Sequence, residues 1–119
     1  MKNALVASAL AIPAAGTAQP YSESMADCAS LFQNAAQWVQ TDELSDRLMY
    51  SAVQWHAAAV SQAKTEGDTI SDAGMWDKVD AKTEVWEAKG AGFMLTEEFR
   101  DWSSDCKSFA KHMNIAYKP

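Results

Sequence analysis

The chain has 119 residues, with 10 basic and 16 acidic side chains and a formal net charge of −6 at pH 7. A chain of this length predicts one compact domain with a modest core. Phosphate backbones and anionic lipid heads repel an acidic chain, and no run of lysine or arginine offsets that repulsion. The composition therefore argues against nucleic-acid binding.

The first 18 residues have the three parts of an export signal. Lys2 supplies the positive start, residues 4–12 form an apolar run too short to cross a bilayer, and residues 16–18 form a small-residue cleavage site. We therefore predict a cleaved secretory signal peptide over 1–18 and a periplasmic or secreted location. An N-terminal membrane anchor is the alternative.

Cleavage would leave a single domain over residues 19–119, with a net charge of −7 because the leader carries one lysine and no acid. No later stretch is apolar enough to span a bilayer, so we expect no membrane association after cleavage. The domain contains two cysteines, Cys28 and Cys106. In an oxidising compartment such a pair predicts a disulfide, and two buried free thiols are the alternative.

Helix signals recur four times along the mature chain. Ser24 is a candidate N-cap for a first helix that ends near Gln40, and Thr41 is a candidate N-cap for a second helix that ends at Gly67. Apolar residues repeat at spacings of three and four on the inward face of each helix. In the first helix these are Met25, Cys28, Phe32, Ala35 and Val39; in the second they include Leu48, Ala52, Trp55, His56 and Ala59.

The second half of the chain repeats this pattern. Ser71 or Asp72 opens a third helix that Gly90 ends, and Thr96 caps a fourth helix after an apolar loop over 91–95. The inward positions of the fourth helix are again three or four residues apart. They are Phe99, Trp102, Cys106, Phe109 and Met113.

Four amphipathic helices with short connections predict an all-α fold, an antiparallel up-and-down four-helix bundle. In such a bundle the first and last helices are neighbours. Cys28 lies about one turn into the first helix, and Cys106 about two turns before the end of the fourth, so their heights match at about 1.5 Å per residue. We therefore predict one interhelical disulfide between these two helices.

Several residues are candidates for binding. Trp38 lies off the main apolar row, and Phe93, Met94 and Leu95 lie in the apolar loop, so these four predict an exposed contact surface. A lid folded over one end of the bundle is the alternative for the loop. Trp55, His56 and Trp102 predict the wall of a ligand pocket, and the alternative is that tryptophans on the inward rows simply fill the core.

Catalytic and metal-binding patterns are weak. The sequence has no nucleophile elbow, phosphate loop, HExxH pair or calcium loop. His56 has no carboxylate three or four residues away, which favours a packing role over general-base catalysis. We expect neither an enzyme nor a metal site.

A cofactor alternative rests on Met25 and His112, which an antiparallel first and fourth helix would bring to the same end of the bundle. Methionine and histidine form a haem axial set. This pair resembles the ligand set of exported soluble cytochromes of the b type, which are bundles of similar size. The resemblance implies non-covalent haem b. The predicted Cys28–Cys106 bridge argues against this ligand set. The alternative is that Met25 and His112 are simply solvated residues at helix ends.

The sequence therefore predicts a small, acidic, exported helical bundle. We expect it to act by binding a protein partner or a small ligand and not by catalysis. The alternative function is to carry non-covalent haem b or another small ligand.

Overall fold

The computed structural model describes residues 19–116, so the predicted leader over 1–18 lies outside the described residues. This part of the chain forms four α-helices: α1 (Tyr21–Ala36), α2 (Asp42–Thr65), α3 (Asp72–Glu87) and α4 (Glu97–Met113). The predicted apolar loop is a short 3₁₀ helix, Ala91–Leu95. No strand occurs within residues 19–116.

Contacts of α1 show that α2 and α4 run antiparallel to it. Ser22, at the start of α1, donates hydrogen bonds from its backbone N–H and its hydroxyl to the carboxylate of Glu66, just after α2. Tyr21 packs edge-on against Phe109, near the end of α4, with ring centroids 5.3 Å apart. In both pairs the start of α1 meets the end of its neighbour.

Helix α3 runs parallel to α1. Glu23, near the start of α1, forms an ion pair with Lys78. Further along α1, the Ser30 hydroxyl accepts a hydrogen bond of 2.8 Å from the indole N–H of Trp86, near the end of α3. The contacts advance together along both helices. With α2 and α4 antiparallel, this order confirms the predicted up-and-down four-helix bundle.

Helix α1 lies at the centre of the bundle and contacts α2, α3 and α4. Eleven of its sixteen residues are buried, so it has almost no solvated face. Small residues such as Ala26, Ala29 and Ala35 are fully buried and let the neighbouring backbones approach closely. A helix that is buried on nearly all sides is typical of a bundle interior.

Three of the predicted caps are confirmed. The side chains of Thr41, Ser71 and Thr96 accept hydrogen bonds from the backbone N–H three residues later, at 3.2, 2.9 and 3.1 Å. Gly67 and Gly90 both adopt positive φ, which suits their predicted role in ending α2 and α3.

The bounds of α1 differ from the prediction. It begins at Tyr21 after Pro20, and not at Ser24, because the fixed φ of proline suits the start of a helix. The Ser24 hydroxyl instead accepts a hydrogen bond from the Gln19 side chain. The helix also ends at Ala36, four residues before the expected Gln40.

The predicted disulfide is confirmed. Cys28 of α1 and Cys106 of α4 are bonded, with Cα atoms 5.8 Å apart, and both side chains are buried. The bond closes a loop across 78 positions of sequence. Restricting the unfolded chain in this way stabilises the fold by about 4 to 5 kcal/mol on the chain-entropy argument, a large part of the net stability of a small domain.

Ion pairs join the outer edges of α1 and α3. Lys78 and Lys82 of α3 both contact Glu23, and Lys82 also contacts Asp27 at 2.8 Å. The hydrogen bond from Lys78 lowers the pKa of the Glu23 carboxyl, and Lys82 adds to this, against the opposing effect of partial burial. The ionised form of Glu23 therefore stabilises the contact between the two helices.

We expect the double substitution Cys28→Ala and Cys106→Ala to lower the free energy of unfolding by about 4 kcal/mol, because the unfolded chain regains the entropy that the closed loop removed. Guanidinium unfolding followed by circular dichroism measures this difference. Reductant should destabilise the wild type to a similar extent and leave the double variant unchanged. Equal unfolding midpoints for oxidised and reduced wild type would contradict the prediction.

We expect Glu23→Gln to destabilise the fold at pH 7 and to matter less in acid. Because the folded-state pKa of Glu23 is lowered, its contribution is full above the ordinary value of 4.5 and is lost as the pH falls through the folded value. Urea unfolding at a series of pH values measures the difference between variant and wild type. Glu84→Gln, an exposed position on α3, is the charge-matched control. A difference in unfolding free energy between variant and wild type that does not decrease in acid would contradict this prediction.

Candidate functional site

A groove with a volume of about 420 Å³ lies between α1 and α4. The buried Cys28–Cys106 disulfide lines its inner part. The rings of Tyr21, Trp102 and Phe109 line the groove as well, so its walls are mainly apolar. Both its volume and its apolar character are typical of small-molecule sites.

Buried aromatic neighbours hold the groove rings in place. Phe109 lies between Tyr21, which meets it edge-on, and the fully buried Trp55, which stacks on it with centroids 5.5 Å apart. Trp102 packs edge-on against the buried Trp86, at 5.3 Å. Because Trp55 and Trp86 belong to the core, they support the Phe109 and Trp102 walls, whereas Tyr21 is 49% exposed.

Polar groups lie among the aromatic rings of the groove. Gln19, Ser24 and Asp105 complete its lining. The Gln19 amide nitrogen donates hydrogen bonds to the Ser24 hydroxyl at 2.9 Å and to the Asp27 carboxylate at 2.8 Å. Asp105 is exposed on α4 and is the one carboxylate among the described residues that line the groove. No lysine or arginine lines this groove within residues 19–116.

The three predicted pocket residues are not brought together around one cavity. Trp102 lines the groove, whereas Trp55 lies behind Phe109 in the core. His56 is buried against Trp76 of α3, with ring centroids 4.0 Å apart.

The Nε2 atom of His56 also has a hydrogen-bond partner. Its Nε2 lies 2.9 Å from the backbone carbonyl oxygen of Asp72. Because a carbonyl only accepts, this nitrogen donates the proton. His56 therefore joins α2 to the start of α3, and its place in the wall of a ligand pocket stays a prediction.

Tyr21 and Phe109 line the groove, although the sequence does not predict them as site residues. Tyr21 precedes the expected start of the first helix, so the periodicity places it on no face. Phe109 lies on a predicted inward row, which indicates only core packing. The signal that could have found both is spacing: Tyr21 precedes Cys28 by seven residues and Phe109 follows Cys106 by three, so each ring shares a helix face with its cysteine.

The predicted contact surface is only partly exposed. Leu95 is 82% exposed and Trp38 is 36% exposed, whereas Met94 is half-buried. Phe93 is only 4% exposed, because it stacks on Trp86 at 5.3 Å. Including Phe93 in the surface is therefore wrong, and the alternative of a lid over the end of the bundle describes this residue.

The predicted haem ligands do not form an axial pair. Met25 is only 2% exposed, and it lies in a crevice lined also by Met113 and Ile115. His112 is exposed on the outer side of α4. The end of α4 does approach Met25, but the rotation of the helix presents Met113 to it. This arrangement does not favour haem coordination by Met25 and His112 together, and haem binding stays a prediction.

No cluster of three or more histidine, cysteine, aspartate or glutamate side chains that could hold a metal ion occurs within residues 19–116. None of the helices in this part of the chain has the length and hydropathy needed to cross a membrane.

Comparison with known proteins gives no relative. No protein-family model, curated protein or solved structure matches the chain.

We expect Trp38→Phe to reduce the share of tryptophan fluorescence that iodide quenches, because Trp38 is the most exposed of the five tryptophans. Trp55→Phe is the matched control: Trp55 is fully buried, so its removal should increase the quenched share. Stern–Volmer titration of the three proteins tests this. Equal quenching of the wild type and the Trp38 variant would show that this side chain is shielded in solution.

Proposed function

We propose that the protein is exported to the periplasm and binds a small apolar ligand in the groove between α1 and α4. It acts by binding and not by catalysis. The observation that carries this proposal is the groove itself, an opening of about 420 Å³ lined by three aromatic rings beside the disulfide.

The rigidity of the walls supports a binding role. The rings of Trp102 and Phe109 contact the core residues Trp86 and Trp55, so little side-chain entropy is lost when a ligand enters. A ligand would also remove water from ring surface that the fold leaves open, which favours association.

Sequence features support the proposed location. Residues 1–18 have the pattern of a cleaved signal peptide. A disulfide such as Cys28–Cys106 is typical of proteins that fold in an oxidising compartment.

Protein binding at one end of the bundle is a second candidate. The turn after α1 and the 3₁₀ helix lie at the same end, and they carry the exposed Trp38 and Leu95. The surface is smaller than the sequence predicted, because Phe93 is buried beneath it. We therefore rank this candidate below the groove.

The test begins with the full chain expressed in a bacterium. If the proposal is right, protein recovered from the periplasm has the mass of a chain that begins at Gln19 and lacks two hydrogen atoms. A full-length mass, or recovery from the cytoplasm alone, would refute the proposed export.

The second part titrates this recovered protein with 1-N-phenylnaphthylamine, a neutral apolar dye that fluoresces when it leaves water. We expect saturable binding of one dye per chain. Ser24→Phe should reduce the affinity at least tenfold, because a phenyl group there occupies the groove. Trp38→Ala is the control, since this exposed residue does not line the groove.

Each outcome is informative. Loss of dye binding in the Ser24 variant alone supports the groove as the binding site. Loss in the Trp38 variant alone would move the site to the end of the bundle. Absence of saturable binding in the wild type would overturn the groove proposal.

A further inference from the structure

Among residues 19–116, the only charged side chain that lines the groove is negative. Asp105 contributes a carboxylate, and no basic side chain of residues 19–116 lines the opening. The mature chain as a whole would carry a net charge of −7, which raises the concentration of cations near its surface. A neutral ligand would gain nothing from this arrangement, and an anion would be repelled by it.

We infer that the ligand is an organic cation, in which an ammonium group is attached to an apolar body. This inference rests on the proposed function and specifies the ligand class of the same groove. Its basis is the combination of one carboxylate with three aromatic rings in a single opening.

The position of Asp105 on α4 places it with two of the rings. Trp102 precedes it by three residues and Phe109 follows it by four, and residues at these spacings share one face of a helix. Cys106 lies between them on the inner side of the same face. An apolar body directed toward the disulfide would therefore leave its ammonium group near the exposed Asp105.

Aromatic faces strengthen the preference for a cation. The face of an aromatic ring carries negative electrostatic potential and attracts an ammonium group, most strongly for tryptophan. Tyr21 meets Phe109 at an interplanar angle of 73°, so the two rings present differently oriented surfaces. Trp102 contributes a third ring to the lining of the groove.

The Gln19 amide does not favour an anion. The Gln19 amide nitrogen is already hydrogen-bonded to the Ser24 hydroxyl and to the Asp27 carboxylate. An anionic head would have to compete with Asp27 for this donor and would approach Asp105 as well. The groove therefore discriminates by charge in addition to size.

The test compares three probes that share one hydrocarbon body and differ in the head group: 4-tert-butylbenzylamine, which is a cation at pH 7, 4-tert-butylbenzyl alcohol and 4-tert-butylbenzoate. Calorimetric titration of the recovered full-chain product measures each affinity at low salt. We expect the cation to bind about three- to tenfold more tightly than the alcohol, as befits a partly exposed charge, and the benzoate to bind most weakly.

Asp105→Asn should abolish the preference for the cation over the alcohol while leaving the affinity for the alcohol unchanged. Asp101→Asn is the matched control, because it removes the same charge from an exposed position one turn earlier that does not line the groove. A preference lost equally in both variants would indicate general attraction by the acidic chain and would overturn the inference.

The proposed function and this inference fail in different ways. If the alcohol binds as tightly as the cation and Ser24→Phe removes both, the groove proposal stands and the inference about charge is wrong. If the dye binds the groove but none of the three probes does, the inference alone is wrong; if neither the dye nor any probe binds, both are wrong.

Discussion

The bond between Cys28 and Cys106 holds the fourth helix against the centre of the bundle. Helix α4 is the least embedded of the four: within it only Cys106 and Ala110 are buried, and the aromatic residues of its inner face stay partly open. Hydrophobic burial alone would attach such a helix weakly. The covalent bond keeps it in place while leaving room between α4 and α1, and that room is the groove.

The other side of the bundle is packed more tightly. Helix α1 is buried on nearly all sides, and the hydroxyl of Ser30 inside it accepts the indole N–H of Trp86 and donates to the carbonyl of Asp27 at 2.7 Å. Because all of these polar groups are satisfied, the contact between α1 and α3 is both buried and specific. Trp86 in turn supports Trp102, which connects this rigid half of the molecule to the groove.

These two halves explain why the groove is the best candidate site. A ligand site needs fixed walls and an opening that the protein does not fill with its own side chains. The core aromatics Trp55 and Trp86 supply the fixed support, and the bridge keeps α4 close without closing the gap. His56 does not line this groove; it packs against α3 and joins two helices.

The sequence determined the features that depend on local chemistry and on spacing along the chain. Hydroxyl caps such as Thr41 and Thr96 act within one helical turn. Apolar residues at spacings of three and four define a helix face independently of the element that packs against it. The helices and their order were therefore predictable. The disulfide was also predictable, because bundle geometry places Cys28 and Cys106 at matching heights on neighbouring helices.

Tertiary structure decided which side chains stayed open. Phe93 became buried because the 3₁₀ helix folds its ring onto Trp86, and His112 became exposed because the rotation of α4 turns Met113 toward α1. Tyr21 joined the groove because Pro20 begins the first helix earlier than expected. Each outcome depends on how far a helix is rotated or where it ends relative to its neighbours, and spacing within a single helix carries no information about that placement.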